Sequence, residues 1–349
     1  MKQKFKINNL LRENIKNIKP YSSARDEYQE VNTDMVFIDA NENPFETDVN
    51  RYPDPQQTKV KNVLSELKGV PTNQILLGNG SDEVLDLIFR AFCDPNKDNV
   101  ITLPPTYGMY NVLANLNAIG IQEVLLNKDF EPNVEAILNA QNKNSKLLFI
   151  CSPNNPTANS FEASKIENLI KNFEGIVVVD EAYIDFSNEE SWLNRLNDFP
   201  NLIITQTLSK AYGLAGIRLG ICYASTEIIS VLNKIKPPYN INQLTQNTAL
   251  ERLNSTQKVN NEIEEILSER NKLMDELKTI SVVENVYPSD ANFILAKVDN
   301  ANKRYKELVQ KGVVVRNRTT QPLCENCLRF TVGTKDENQR LVKILEKLN

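Results

Sequence analysis

The sequence predicts an α/β fold: a mostly parallel central sheet flanked by helices, followed by a smaller α+β domain. Three observations carry that expectation. Short, fully apolar runs alternate with amphipathic helical stretches through most of the chain. Polar residues follow the carboxyl ends of several of these runs, and from Thr226 the texture shifts to long charged helices. Apolar strands separated by helices are what a parallel sheet covered on both faces requires.

The elements follow in order. Ile75-Leu76-Leu77 meets the turn Gly78-Asn79-Gly80, and a helix begins at about Ser81, with Val84, Leu85, Leu87, Ile88, Ala91 and Phe92 at helical spacing. Val100 to Leu103 is a short strand closed by Pro104-Pro105. Leu147 to Ile150, Ile176 to Val179, Leu202 to Ile204 and Leu219 to Tyr223 are further buried-type runs. A helix over roughly Gln257 to Thr279 then leads to strands near Val282, Phe293 and Val313, another at Leu328 to Val332, and a final helix. The expected division is 1–38 as an N-terminal arm with part of the small domain, 39–240 as the large domain, and 241–349 as a connecting helix and the small domain. No repeat or flexible linker separates them, so they should pack closely.

Hydrophobic residues make up 41% and charged residues 24%, the balance of an ordinary globular protein. The net charge of -5 comes with no basic block, so neither a nucleic-acid nor a membrane partner is expected. The N-terminus lacks the apolar core of a signal peptide, and five sparse cysteines suit a reduced, cytoplasmic setting. The most restrictive number is zero: there is no histidine. Ser-His-Asp and Cys-His catalysis and His-ligated zinc are excluded, leaving acid–base work near neutral pH to a shifted lysine, carboxylate, tyrosine or cysteine.

Ligands of open α/β sheets gather at the carboxyl ends of strands, and four segments place polar residues there. Thr207-Leu208-Ser209-Lys210 follows an apolar run, with Arg218 eight residues on. Such a lysine can hold an aldehyde cofactor that bears a phosphate, with Thr207, Ser209 and Arg218 as phosphate donors. A lone Ser-Lys is commonly no more than a surface turn. Val177-Val178-Val179 runs into Asp180-Glu181-Ala182-Tyr183, suiting Asp180 to a protonated pyridine nitrogen and Tyr183 to the ring's phenolic oxygen. By itself an Asp after a strand is often a helix cap. Ser152-Pro153-Asn154-Asn155-Pro156-Thr157 is a proline-fixed turn that can aim the Asn155 amide. Gly80-Ser81-Asp82 opens a helix whose N–H groups can receive a phosphate. It is no dinucleotide fingerprint, because Glu83 stands at the third glycine position.

Together these segments resemble the fold-type I pyridoxal-phosphate enzymes and, within them, the histidinol-phosphate aminotransferase family. The resemblance spans nearly the whole chain: Pro20-Tyr21-Ser22-Ser23-Ala24-Arg25, Asn41-Glu42-Asn43-Pro44, Arg51-Tyr52-Pro53-Asp54, Pro105-Thr106-Tyr107-Gly108-Met109-Tyr110, Thr207 to Tyr212, and Cys327-Leu328-Arg329-Phe330-Thr331-Val332-Gly333. It implies that residues 39–240 bind pyridoxal 5'-phosphate. Lys210 would carry the cofactor as a Schiff base and, once displaced, move the substrate proton. Asp180 would hold the pyridinium, Tyr183 and Asn155 the ring oxygen, and Tyr107 would stack on the ring. Gly80, Ser81, Asp82, Thr207, Ser209 and Arg218 would surround the phosphate. Tyr52 would reach the neighbouring subunit's cofactor phosphate, implying a homodimer. Arg329 would receive the carboxylate of glutamate or the phosphate of L-histidinol phosphate, with Tyr21, Asn43 and Arg316 also on the substrate side.

The implied reaction is amino transfer from L-histidinol phosphate to 2-oxoglutarate in histidine biosynthesis. A threonine-phosphate decarboxylase or an aromatic aminotransferase of the same fold are the alternatives. By the residues alone, Arg316 and Arg318 also fit solvated strand-end charges. Ala158 stands where the family usually has glycine, which should shift that loop slightly without altering the chemistry. Cys324-Glu325-Asn326-Cys327 reads as a loop, since zinc would need further ligands.

Overall fold

The computed structural model describes residues 6–20 and 36–348. Seven strands form the first sheet: β1 (Ile75–Asn79), β2 (Asn99–Thr102), β3 (Gly120–Glu123), β4 (Ser145–Cys151), β5 (Ile176–Asp180), β6 (Leu202–Thr207) and β7 (Leu219–Ala224), in the spatial order β1-β7-β6-β5-β4-β2-β3. The run from β3 to β6 is parallel, and β7 lies antiparallel between β6 and β1. The parallel body and the positions of six strands match the expectation. The reversed β7 is additional, and so is β3, an edge strand whose Gly-Ile-Gln-Glu has no fully buried residue and offers no apolar run.

The strands read as unbroken apolar runs because each feeds two cores. Val177 and Val179 of β5 enter the cluster on one face, with Leu148, Ile150 and Ile204; Ile176 and Val178 enter the other, with Leu147, Phe149 and Ile203. Side chains alternate along a strand, so both parities must be apolar when helices cover both faces. The helix Gly80–Phe92 supplies Val84, Leu85, Ile88 and Phe92 to the second cluster.

The helix Thr256–Lys278 leads to a four-stranded antiparallel sheet of β8 (Val283–Val286), β9 (Phe293–Val298), β10 (Arg316–Asn317) and β11 (Cys327–Thr331), ordered β10-β11-β9-β8. The expected strand near Val313 is only the two-residue β10 further on: Val314 is 78% exposed and finds no partner strand until Arg316 pairs with Arg329. Leu295, Cys324 and Cys327 join the first core cluster, so the second sheet packs onto the first.

Register aligns the catalytic edge. Cys151 pairs with Asp180 and Asp180 with Thr205, so the chain leaves β4, β5 and β6 side by side at their carboxyl ends. From the far side β7 closes in so tightly that a Cβ on Gly220 would lie 2.2 Å from the Ser81 nitrogen. Backbone cannot yield as a flexible side chain does. Gly220→Ala should therefore push the helix start away from β7, lowering the melting temperature by several degrees at a cost of about 2–3 kcal/mol. Thermal melts of purified variant and parent check this; an unchanged melting temperature would show that the approach is not tight.

Candidate active site

The strand ends enclose a cleft of about 120 Å³ lined by Ser81, Asp82, Tyr107, Asn155, Asp180, Tyr183, Thr207, Ser209, Lys210 and Arg218, together with Cys151, Ala182 and Ala215. All the residues expected of the cofactor site are here except Gly80, directly beside it, and Tyr52. A more open depression of about 640 Å³ near Lys61 and Asn233 shares none of these residues.

Asp180 ends β5 and is 3% exposed. Its Oδ2 accepts from the Tyr110 hydroxyl at 2.7 Å and its Oδ1 from the Ala182 N–H at 3.2 Å. Burial pushes its pKa up, and the Tyr110 bond opposes that shift. No basic side chain among the described residues forms an ion pair with it. A buried carboxylate so placed fits a protonated ring nitrogen, whose charge would offset the desolvation. In the sequence Tyr110 is only the last residue of the segment Pro105-Thr106-Tyr107-Gly108-Met109-Tyr110. Its role shows in the structure because the first turn of the helix Met109–Leu116 turns its ring inward, stacked on Phe149 at 4.7 Å.

The end of the cleft expected to take the phosphate combines backbone and side chains. Gly80 sits at φ +73°, where an L side chain is strained, and a Cβ there would lie 2.5 Å from Arg218 Nη2. Arg218 itself holds φ +54°. Asp82 Oδ2 accepts from Arg218 Nη2 at 3.3 Å and its Oδ1 from the Tyr107 hydroxyl at 3.1 Å. The Asp82 carboxylate therefore orients the Arg218 and Tyr107 donors; the Gly80 N–H is taken by the Arg218 oxygen at 2.9 Å, so an anion would be received by the N–H groups that follow it in the helix's first turn. Thr207 Oγ1 lies 3.0 Å from Ser209 Oγ, both at the β6 exit. These donors, the cradle at Gly80 and the orphaned charge of Asp180 fit a phosphorylated pyridine aldehyde.

Lys210 opens onto this space, its Nζ 5.7 Å from the centre of the Tyr183 ring. Partial burial, then Arg329 and Arg218, hold its pKa below the ordinary lysine value. More of the amine is neutral near pH 7, as a nucleophile toward an aldehyde requires. Tyr183 and Tyr107 are pushed the other way, chiefly by burial, and stay protonated.

The second sheet contributes the far wall. Arg329 Nη1 donates to Asn155 Oδ1 at 2.5 Å, and Asn155 Nδ2 donates to the Tyr183 oxygen at 3.3 Å. The Arg329 guanidinium also lies 5.0 Å from the Phe293 ring centre. Burial and the like charges of Arg318 and Arg316 bring its pKa down to about 10. Asn154, adjacent to the predicted Asn155, braces the loop, accepting from Thr106 Oγ1 at 3.0 Å and donating to the Pro105 oxygen at 2.8 Å. Ala158 closes the same loop at φ +69° with its methyl fully buried.

Arg316 is exposed and lies in register with Arg329. Asn43 and Tyr52 lie outside the cleft of their own chain: Asn43 Oδ1 accepts from the Phe45 N–H at 3.0 Å, while Tyr52 is 52% exposed and stacked on Tyr239. Tyr21 lies outside the described residues. Cys324 and Cys327 are buried free thiols, and no cluster of three or more metal-type ligands occurs among the described residues.

The family model for class I and II aminotransferases matches residues 27–345. The chain belongs to that family. It is 63% identical over 346 residues to the histidinol-phosphate aminotransferase of Flavobacterium johnsoniae, covering 99% of both chains. It is 60% identical to the enzyme of the same name from Flavobacterium psychrophilum, again over 99% of each. Among solved structures, the histidinol-phosphate aminotransferase of Sinorhizobium meliloti in complex with pyridoxal-5'-phosphate superposes with a TM-score of 0.79. That match has 22% identity and covers 86% of this chain and 83% of that one. Aminotransferases of this family depend on pyridoxal 5'-phosphate.

Two substitutions test how the aminotransferase residues meet the cofactor. Lys210→Ala should abolish its covalent capture: borohydride reduction leaves a cofactor adduct on the parent protein and none on the variant, by intact mass. Tyr110→Phe removes a bond that lowers the Asp180 pKa, so that pKa rises. If the ionised carboxylate is the working form, activity lost as pH falls through this pKa should be lost at higher pH in the variant. A pH–rate profile whose acid limb does not move would break the link between the two residues.

Proposed function

We propose that the enzyme transfers the amino group of L-histidinol phosphate to 2-oxoglutarate, giving imidazole acetol phosphate and L-glutamate in histidine biosynthesis. The observation that carries this reading is a cluster of arginines: Arg329 donates to the cleft residue Asn155, Arg316 is its register partner, Arg318 is near enough to lower the Arg329 pKa, and none has an acidic ion-pair partner among the described residues. Uncompensated guanidinium groups beside an amine-bearing cleft suit a substrate that is both an amine and a strong anion. Full-length relatives that bear the same enzyme name support it.

When bound, pyridoxal phosphate supplies an electron sink that acidifies the carbon bearing the amino group. The chain's own residues do the rest. Lys210 Nζ is the proton carrier, because Tyr107, Tyr183 and Cys151 all have pKa values pushed upward while that of Lys210 is pushed down. Asp180 stabilises positive charge at the buried end of the cleft. Tyr183 and Asn155 present a hydroxyl and an amide donor midway along it. Arg329 binds the substrate anion at the distal end and, through Asn155, fixes where that anion lies relative to Lys210.

A homodimer belongs to the same proposal. Val36, Ile38 and Phe45 are 80%, 90% and 77% exposed, close in sequence to Tyr52, which is 52% exposed. Such an apolar run suits burial against a second copy, with Tyr52 turned to its neighbour's cofactor phosphate and Asn43 to a substrate. Residues 39–240 are then the large domain, with 1–38 and 241–349 the arm, connecting helix and small domain. No helix of the described residues is long and apolar enough to cross a membrane, and the proposed setting is cytoplasmic.

The test is a pair of half-reactions. L-histidinol phosphate alone should bleach the visible cofactor band, and 2-oxoglutarate should restore it. Carbon dioxide released without consumption of an oxo acid would instead establish a decarboxylase. Bleaching by phenylalanine or tyrosine but not by histidinol phosphate would establish an aromatic aminotransferase.

A further inference from the structure

We propose that Arg318 is a third anion-binding side chain of the substrate pocket, and the one that selects a phosphomonoester over a carboxylate. The inference rests on the reaction proposed above and adds a residue to it. Arg316 pairs with Arg329 across β10 and β11, and Arg318 lies two residues on, the spacing that returns a side chain to the same face of an extended chain. Its backbone N–H donates to the Cys327 oxygen at 2.9 Å, carrying the ladder one step past β10 and fixing where the side chain emerges.

The side chain is half-buried, and its Nε is enclosed without a hydrogen-bond partner, as is the Nε of Arg329. The charged and titratable groups that act on it most strongly are Arg316 on its own segment, Arg329 on β11, Tyr183 from the first sheet and Cys324 from the following turn. None is a carboxylate. Buried guanidinium N–H groups cost free energy when unmatched, and neighbouring like charges add to that cost. An anion placed between them removes both costs. A carboxylate brings one charge and two oxygens, which Arg329 alone can engage as a fork. A phosphomonoester brings three terminal oxygens and close to two charges near neutral pH, so it can use a further guanidinium.

The experiment compares Arg318→Gln and Arg318→Lys with the parent. Losing one charge-assisted contact should raise KM for L-histidinol phosphate roughly ten- to hundredfold, with kcat and KM for glutamate changed by no more than about threefold. Lysine should restore part of the loss. In the parent, KM for histidinol phosphate should fall as pH rises through about 6, where the phosphate takes its second charge, and that dependence should flatten in the glutamine variant. Inorganic phosphate, as a competitor of glutamate, probes the pocket independently of the amino donor, and its inhibition constant should rise by a similar factor.

Equal weakening of glutamate and histidinol phosphate would overturn the proposal, as would a lowered melting temperature with unchanged KM and phosphate inhibition. A parent enzyme that binds phosphate through Arg318 yet does not turn over histidinol phosphate would overturn the reaction reading and leave the phosphate contact standing.

Discussion

The site is organised around a carboxylate that ought not to be where it is. Asp180 closes a strand in which every other residue is Ile or Val, and it is almost wholly removed from water. An unpaired buried carboxylate is costly and tends to take up a proton instead. The protein allows the burial by giving one oxygen a tyrosine hydroxyl and the other a backbone N–H, while no basic side chain among the described residues forms an ion pair with it. That leaves a defined deficit of positive charge at the bottom of the cleft. In the function proposed above, the cofactor's ring nitrogen would meet it, and the acid that costs stability would also tune the electron sink. Tyr110 connects the two effects: it stacks in the core through its ring and sets the carboxylate through its hydroxyl.

The second constraint is that the two sheets must agree on one substrate position. Arg329 belongs to β11, while Asn155 and Tyr183 belong to loops leaving β4 and β5. The chain of bonds from Arg329 through Asn155 to Tyr183 crosses between sheets, so a shift of one against the other moves the anion site relative to the ring site. The surrounding structure resists such a shift. Arg270, from the long helix, donates to the Phe186 oxygen at 3.1 Å and the Ala291 oxygen at 3.0 Å, tying the segment after β5 to the one before β9. Asp290 meets the Asn155 loop from the other side, its N–H donating to the Ala158 oxygen at 2.7 Å. The spacing between Arg329 and the cleft residues Asn155 and Tyr183 is thus set by contacts well away from them.

What could be read from the sequence follows from the physics of each element. Strands buried on both faces announce themselves as apolar runs, and the polar residues at their carboxyl ends mark the cleft; Asp180, Lys210 and Asn155 were legible on those grounds. The edge strand β3 and the short β10 were not, because an exposed or very short strand needs no apolar pattern and its position is set by its neighbours. The reversed direction of β7 is equally invisible, since an apolar run has no polarity. Tyr110 reads as a core aromatic and is one; only the packing shows where its hydroxyl ends. Asp82 illustrates a subtler gap, for the sequence places it at the phosphate end, but its carboxylate is taken up by Arg218 and Tyr107.

Ala158 shows how such a site tolerates a residue that local rules disfavour. Left-handed backbone costs an L residue about 1–2 kcal/mol, and this alanine adopts it where glycine would be at ease. Its methyl, however, is buried in a cluster with Tyr183, Phe186, Ala211, Ala291 and Phe293. Burying one such group contributes about 0.8 kcal/mol, and alanine also starts from a less disordered unfolded chain than glycine does, worth a further 0.4–1 kcal/mol. The opposing terms are of similar size, so the substitution is close to neutral for stability. Its effect on geometry is more one-sided. The methyl packs in the same cluster as Tyr183 and Phe293, the aromatic neighbours of Lys210 and Arg329. Glycine would leave a small void at that point. Alanine fills it and, in doing so, removes room for the loop carrying Asn155 to move between the two sheets it joins.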